Sequence, residues 1–473
     1  MNVLALVPIG AALAATVPFT VVGFGGFQGN LFVQHHSGDS FEYSERPAVV
    51  FNRSIDPASF TYTLAPAAPA TYNFAGGDVV KFTIRVTPGV RYSLTIPAGI
   101  ASTTGDRTTT SQTYAFTTPA VATQRRPIAS AKGLPYRYGV LEHPFPQSLT
   151  GPTHARQIAQ LAAAGVGFVR IDYCGAQSEN LAGTFNFTTE DSILAQLAAV
   201  GITELPIVDQ YCAPAWANGG STNGIDIWAT PALFAQFARG VAAHLAAAYP
   251  EVTRIELFNE PNDAGWWVAP PPYDDRTGGA TAAYMAAAYA AIKAAAPGMT
   301  VVGPALGDGG GDAVDPRTFL RNMILAGCAT NRCWDVLSVH NYAWMNPLFA
   351  THAFSGDWGP NRFDVYKDLQ RIAMTNREPR GRRIGPDPGR LPHVMLTEWG
   401  YSTAQVPQGF DPAVQAQYLS IGADMALADP TVDGIVWVNV YQPGTDFWSR
   451  TALTDPDFSL EPGFTTLTRF AKF

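Results

Sequence analysis

The chain has 473 residues, too many for one ordinary domain and enough for a large domain with a smaller companion. Hydrophobic residues make up 47% and charged residues 14%, which excludes wholesale disorder and leaves a sizeable core to bury. A net charge of −8 with no Lys/Arg block leaves no footprint for tracking a nucleic-acid backbone.

Residues 1–22 contain no charged side chain, and the first charge in the chain is Asp39. An apolar run followed by ALAA has the form of a secretory signal core and cleavage site. The basic leader of such a signal is missing, and Pro8 and Pro18 oppose a membrane-spanning helix. A signal-like segment over 1–22, with export, is the expectation; an apolar first strand is the alternative.

From 23 to 120 the sequence offers short alternating runs, AVVFNRSI, FTYTLA, VVKFTIRV, RYSLTIPA and TYAFTTP, parted by turn clusters such as PAAPA and AGGD. Many short strands at regular spacing predict an antiparallel β-sandwich. RPAVVFNRSIDPASF and YSLTIPAGIASTTGD resemble a bacterial immunoglobulin-like module, which implies an accessory role. Residues 121–135 read as a linker.

The rhythm changes over 136–473. Eight strand-like runs, YGVLEH, GFVRID, TELPIVD, IELFNE, TVVGPAL, VLSVHNY, HVMLTEWG and GIVWVNVY, alternate with alanine-rich amphipathic stretches. Eight β-then-α units predict a (β/α)8 TIM barrel, so the fold class is α/β with a smaller all-β domain in front. A doubly wound open sheet would carry a glycine-rich nucleotide loop after its first strand, and none is present.

Four cysteines belong to this second part. Cys328 and Cys333 bracket the short CATNRC loop, and Cys174 and Cys212 follow neighbouring predicted strands. Two local disulfides suit an oxidising compartment, with free core thiols as the alternative. The spacing does not suit a four-cysteine zinc site.

Barrel chemistry sits at the C-terminal ends of the strands. Read in order, those ends offer His143, Arg170 with Asp172, Asp209 with Gln210 and Tyr211, Asn259 with Glu260, His340 with Tyr342, Glu398 with Trp399, and Trp437 with Asn439. Glu260 closes the fourth strand and Glu398 the seventh, 138 residues apart in sequence yet at one mouth of a barrel. Either glutamate alone could be a structural carboxylate on an arginine or backbone amide. A pair so placed suits glycoside hydrolysis, in which one acid protonates the leaving oxygen and the other attacks the anomeric carbon or activates water.

FNEPN and LTEWGYS, in this barrel order, resemble the large clan of retaining (β/α)8 glycosidases. NEPNDAGWW, FLRNMILAG and WDVLSVHNYAW are most similar to glycoside hydrolase family 39, with family 5 close behind. The resemblance covers the barrel region and implies that Glu260 is the acid/base, that Glu398 is the nucleophile and that Asn259 holds the sugar 2-hydroxyl. Trp399 and Tyr401, after the nucleophile, are not distinctive of one family.

Arg170 is a candidate partner keeping Glu398 ionised. Tyr342 is a candidate donor to the nucleophile. His340 is a candidate contact of the acid/base or the sugar, with a satisfied core histidine as the alternative. His143 is a candidate sugar-hydroxyl donor. Trp437 is a candidate stacking platform for a sugar face or else a core tryptophan, and Trp266, with Trp267, Trp216 and Trp344, lies on predicted rim loops. GDGGGDAVD places Asp308, Asp312 and Asp315 in one loop, but their spacing is not that of an EF-hand, so no metal is expected. No organic-cofactor motif occurs. The partner expected is an oligo- or polysaccharide, and no protein partner is readable. A barrel that binds carbohydrate without cleaving it and a surface adhesin are the competing readings; the intact acidic pair disfavours both.

Overall fold

The computed structural model describes residues 18–28, 31–34, 36–37, 46–68, 70–84, 90–117, 136–141, 152–222, 225–265, 267, 278–307, 313–342, 364–374, 391–403, 412–441, 449–454 and 459–472. The chain divides into two compact units, Met1–Ala122 and Thr123–Phe473.

The first unit is built from β1 (Val21–Gln28), β2 (Leu31–Gln34), β3 (Arg46–Phe51), β4 (Thr63–Ala65), β5 (Ala70–Ala75), β6 (Val79–Ile84), β7 (Arg91–Ile96) and β8 (Gln112–Thr117). They form two antiparallel sheets, β2-β1-β3-β6-β5 and β4-β7-β8. Alternation decides what faces inward: Val49, Val80 and Phe82 from one sheet meet Tyr92, Leu94 and Phe116 from the other in a single core. Residues 19–22 depart from the sequence expectation. Phe19 and Val21 are buried in this core, Phe19 stacks on Phe51 at 5.4 Å, and Val21 opens β1. The end of the signal-like segment therefore belongs to the sandwich, because its apolar side chains fill one edge of the core.

In the second unit, β9 (Tyr138–Leu141), β10 (Phe168–Tyr173), β11 (Thr203–Val208), β14 (Arg254–Leu257), β15 (Thr300–Leu306), β16 (Val336–His340), β17 (Val394–Trp399) and β18 (Val432–Val438) close into a barrel in which every pairing is parallel. These strands are buried on both faces, which is why they read as continuous apolar runs. The barrel interior packs Leu141, Phe168, Leu205, Val302, Val336, Met395 and Val436.

The helices are α1 (Pro152–Ala164), α2 (Gly175–Ser178), α3 (Thr188–Ala199), α4 (Pro231–Ala248), α5 (Gly279–Ala295), α6 (Pro316–Leu325), α7 (Val365–Met374), α8 (Pro412–Ala428) and α9 (Pro462–Lys472). Five of them begin at proline, whose missing N–H and fixed φ suit a first helical position. Thr230 caps α4, its Oγ1 accepting the Leu233 N–H at 3.3 Å. Asp315 caps α6 and also pairs with Arg317, which gives it a structural task; Asp308 and Asp312 lie outside the described residues. A hairpin of β12 (Asn218–Thr222) and β13 (Ile225–Trp228), not expected from sequence, extends the segment between β11 and α4.

Cys174 and Cys212 pair with Cα atoms 5.3 Å apart, joining the segments that follow β10 and β11, and Cys328 pairs with Cys333 across 5.5 Å. Among the described residues no helix is long and apolar enough to cross a membrane.

Candidate active site

Arg170 organises the barrel mouth. It lies on β10 facing the interior and is 1% exposed. Its Nε donates to Glu256 Oε2 at 2.5 Å, Nη1 to Glu398 Oε1 at 2.7 Å and Nη2 to Asn259 Oδ1 at 3.0 Å. Burial alone would lower the affinity of this guanidinium for its proton. The carboxylates of Glu256, Glu398 and Asp172 outweigh that effect and hold it above its ordinary range.

Glu398, the penultimate residue of β17, receives a second donor: the Tyr342 hydroxyl reaches Oε2 at 2.7 Å. Burial, and then the charge of Glu398, push the Tyr342 phenol well above its usual range, so it stays a donor. Glu260 makes a different set of contacts. Its Oε1 lies 2.8 Å from Nδ1 of the fully buried His340, and the same Nδ1 is 3.4 Å from Glu398 Oε2. A proton on Nδ1 bonds the nearer carboxylate and faces the other. Donor atoms of Glu260, His340 and Glu398 all lie within 4.8 Å of one another.

The backbone that delivers Glu260 is unusual. Phe258 and Glu260 both take left-handed conformations, φ 68° and 47°, which side-chain-bearing residues rarely adopt. The turn at Phe258 sends its ring outward onto Phe234, Trp267 and Tyr284. Asn259 thereby faces Arg170. Its peptide is held on both sides by Gln210, whose Oε1 accepts the Asn259 N–H at 2.8 Å and whose Nε2 donates to the Asn259 carbonyl at 2.5 Å. The Glu260 N–H donates to Ala305 O at 2.8 Å. Asn262 fastens the segment after β15: its Oδ1 accepts from Gly307 N at 2.8 Å and its Nδ2 donates to Val314 O at 2.8 Å. Gly307 is where the acid passes, because a Cβ there would stand 3.0 Å from Glu260 Cδ and Oε1.

Further along the rim, Asp209 is buried, and burial followed by the charge of Asp172 raises its carboxyl well above the usual range. Tyr211 is raised by burial and then by Asp209.

The structure thus brings Arg170, Asn259, Glu260, His340, Tyr342 and Glu398 together. It corrects Trp437 and Trp267. Trp437 is 0% exposed, its Nε1 donates to Thr451 O at 3.2 Å, and its ring stands edge-on to Trp399 at 5.0 Å, so no face is open to a sugar. Trp267 is buried under Phe258 and Tyr284. Trp216 is partly exposed and donates to Glu179 O at 2.9 Å. His143, Trp266 and Trp344 lie outside the described residues. Sequence reasoning missed Glu256, Gln210's clamp and Asn262. The signals were a glutamate inside an otherwise apolar strand run and the second asparagine of NEPN.

No protein-family model matches the sequence. No curated protein matches it either. Solved structures share its architecture. The chain is similar to a family 39 glycoside hydrolase from the gut symbiont Bacteroides cellulosilyticus WH2, with a TM-score of 0.53 and 18% identity over 95% of this chain and 82% of that one. It is also similar to the GH39 enzyme of Xanthomonas axonopodis pv. citri, with a TM-score of 0.50 and 18% identity over 70% of this chain and 65% of that one. At this identity the likeness establishes the fold. The site must be argued from its own residues.

Proposed function

We propose that the chain is a retaining glycoside hydrolase acting on a β-linked, or stereochemically equivalent α-L-linked, oligo- or polysaccharide. The observation that carries this reading is two carboxylates with oxygens within 4.8 Å, each held by a different set of partners. Retaining enzymes place the pair about 5–5.5 Å apart, whereas inverting ones leave roughly 6.5–9.5 Å for a water.

Glu398, oriented by Arg170 and Tyr342, is the nucleophile. Its oxygen bonds to the anomeric carbon as the bond to the aglycone oxygen breaks, and that oxygen takes the proton of Glu260. Glu260, now a carboxylate beside His340, then removes a proton from water. The water attacks the same carbon and releases Glu398, so two inversions restore the configuration. Asn259, fixed by Gln210 and Arg170, is placed to bond a sugar hydroxyl. Two cysteine pairs support export, and the sandwich is read as an accessory immunoglobulin-like module. Any signal cleavage falls before Phe19, which the sandwich core needs.

The trio Glu260, His340 and Glu398 is also compact enough to hold a divalent cation. Arg170 weakens this second reading, because its buried positive charge lies 2.7 Å from Glu398 Oε1, on one of the carboxylates such an ion would use.

The test is hydrolysis of aryl glycosides and polysaccharides by wild type, Glu398→Ala and Glu260→Ala, with the product anomer followed by NMR. Retained configuration is expected. Rates should fall on the order of 10⁴-fold in Glu398→Ala, and azide should restore turnover as an inverted glycosyl azide. Chelators should leave activity unchanged. Inverted product, or full activity in Glu398→Ala, defeats the mechanism; activity abolished by a chelator and restored by a divalent cation favours the metal reading.

A further inference from the structure

Among the buried acids that the catalytic reading does not use, Glu256 is bonded directly to Arg170. Glu256 sits in the middle of β14, is 0% exposed and faces the barrel interior. One carboxylate oxygen accepts from Arg170 Nε at 2.5 Å, while the other, Oε1, is buried with no hydrogen-bond partner. An unsatisfied buried carboxylate oxygen costs stability, and a buried ion pair adds little over apolar residues of the same volume. Glu256 therefore calls for another explanation.

Charge counting supplies it. In the resting enzyme one guanidinium, Arg170, serves two carboxylates, Glu256 and Glu398. On the retaining reading, Glu398 becomes a neutral ester midway through the cycle. Without Glu256 that step would leave a guanidinium 1% exposed with no carboxylate bonded to it and only the more distant charge of Asp172, a costly state. With Glu256 in place the group left behind is a neutral pair. We propose that Glu256 is the fixed counter-ion of Arg170, a positioning residue that keeps the guanidinium neutralised and aimed while the charge of Glu398 disappears and returns. Its bond to Nε also sets the guanidinium plane, which lets Nη1 and Nη2 reach Glu398 and Asn259 together.

In Glu398→Ala the nucleophile's charge is gone, but Glu256 still neutralises Arg170. In the double variant Glu256→Gln/Glu398→Ala, Arg170 keeps no bonded carboxylate, only the more distant charge of Asp172, and should capture a small anion in the space left by the Glu398 side chain. Formate, a free carboxylate, is the probe, and its affinity for both proteins is read by calorimetry. Formate should bind the double variant at least about 10-fold more tightly than Glu398→Ala. Equal affinities would overturn the counter-ion role.

A second arm uses the aryl glycoside that wild type cleaves. Glu256→Gln should keep the wild-type unfolding temperature and lose on the order of 100-fold in kcat/KM, since that ratio includes ester formation. Glu256→Asp retains the charge at a greater distance and should fall between the two; it serves if the glutamine variant does not fold. Undiminished kcat/KM in folded Glu256→Gln would also defeat the proposal. If no glycoside is cleaved by any form yet formate discriminates the two variants, the hydrolase reading fails and the Glu256–Arg170 charge pairing stands.

Discussion

At the scale of single residues, the mouth separates its two acids by their partners. Glu398 has a guanidinium and a phenol; Glu260 has an imidazole and a side chain 19% exposed. The Tyr342 bond is isolated enough to test. A hydrogen bond to a charged group contributes about 1.5–3 kcal/mol, so Tyr342→Phe should lower kcat/KM by roughly 10- to 100-fold. Burial beside Glu398 keeps this phenol protonated well above its usual range. The wild-type-to-Phe ratio should therefore remain constant as pH rises towards about 10, where an exposed tyrosine would already be losing its proton. Steady-state kinetics across that range decide it, and a ratio collapsing to one by pH 9 would show that the hydroxyl is not held as the structure places it.

At the scale of elements, the end of β14 is where local backbone and chemistry meet. An ideal strand would turn Glu256, Phe258 and Glu260 to one face and Asn259 to the other. The left-handed residue at 258 breaks that alternation and lets Glu256 and Asn259 share Arg170. Glu260 then passes against Gly307 at the end of β15. Gly307→Ala places a methyl group 3.0 Å from the carboxyl and should push it off His340. The carboxyl has to yield only a few tenths of an ångström, so kcat should fall about 3- to 10-fold with little change in unfolding temperature. Kinetics paired with a melting curve would show it; unchanged kcat would mean the acid has room to spare.

The same strand shows what could be read without a structure. Continuous apolar runs announced the eight barrel strands, because strands buried on both faces have no polar alternation to interrupt them. Glu260, Glu398, Arg170, His340 and Tyr342 were visible as strand-end residues. Glu256 was not, since alternation cannot predict where a positive φ will reset it. Nor could Trp437's burial be foreseen: a tryptophan on the eighth strand reads the same whether its ring faces the mouth or packs edge-on against Trp399. Phe19 was ascribed to a signal-like run because a signal core and an edge of a β-sandwich are both apolar and uncharged.

At the scale of the whole molecule, each unit carries its own core, one from the sandwich sheets and one inside the barrel. Two calorimetric unfolding transitions are expected, and the barrel's should depend on pH. In the barrel, burial first of all raises the carboxyls of Glu204 and Asp209 well above their usual ranges, and it raises the phenols of Tyr138, Tyr173, Tyr211, Tyr342 and Tyr401. A group whose proton is held more tightly in the folded state lends full stability below its unfolded pKa, near 4 for the acids and near 10 for the phenols. That contribution is lost as pH climbs from there towards the folded value. Asp315 and Asp429, which are lowered, give their full contribution above pH 5 and no longer vary there. In the sandwich, Tyr62 and Tyr114 are raised by burial, and the stability they lend is lost only above about pH 10. Between pH 5 and pH 9 the barrel transition should therefore move to lower temperature. Asp209→Asn, which keeps the shape and removes the titration, should flatten part of that slope. A barrel transition that rises with pH across the same window would show that the buried carboxyls are ionised and paired in the folded protein, contrary to the environments the structure gives them.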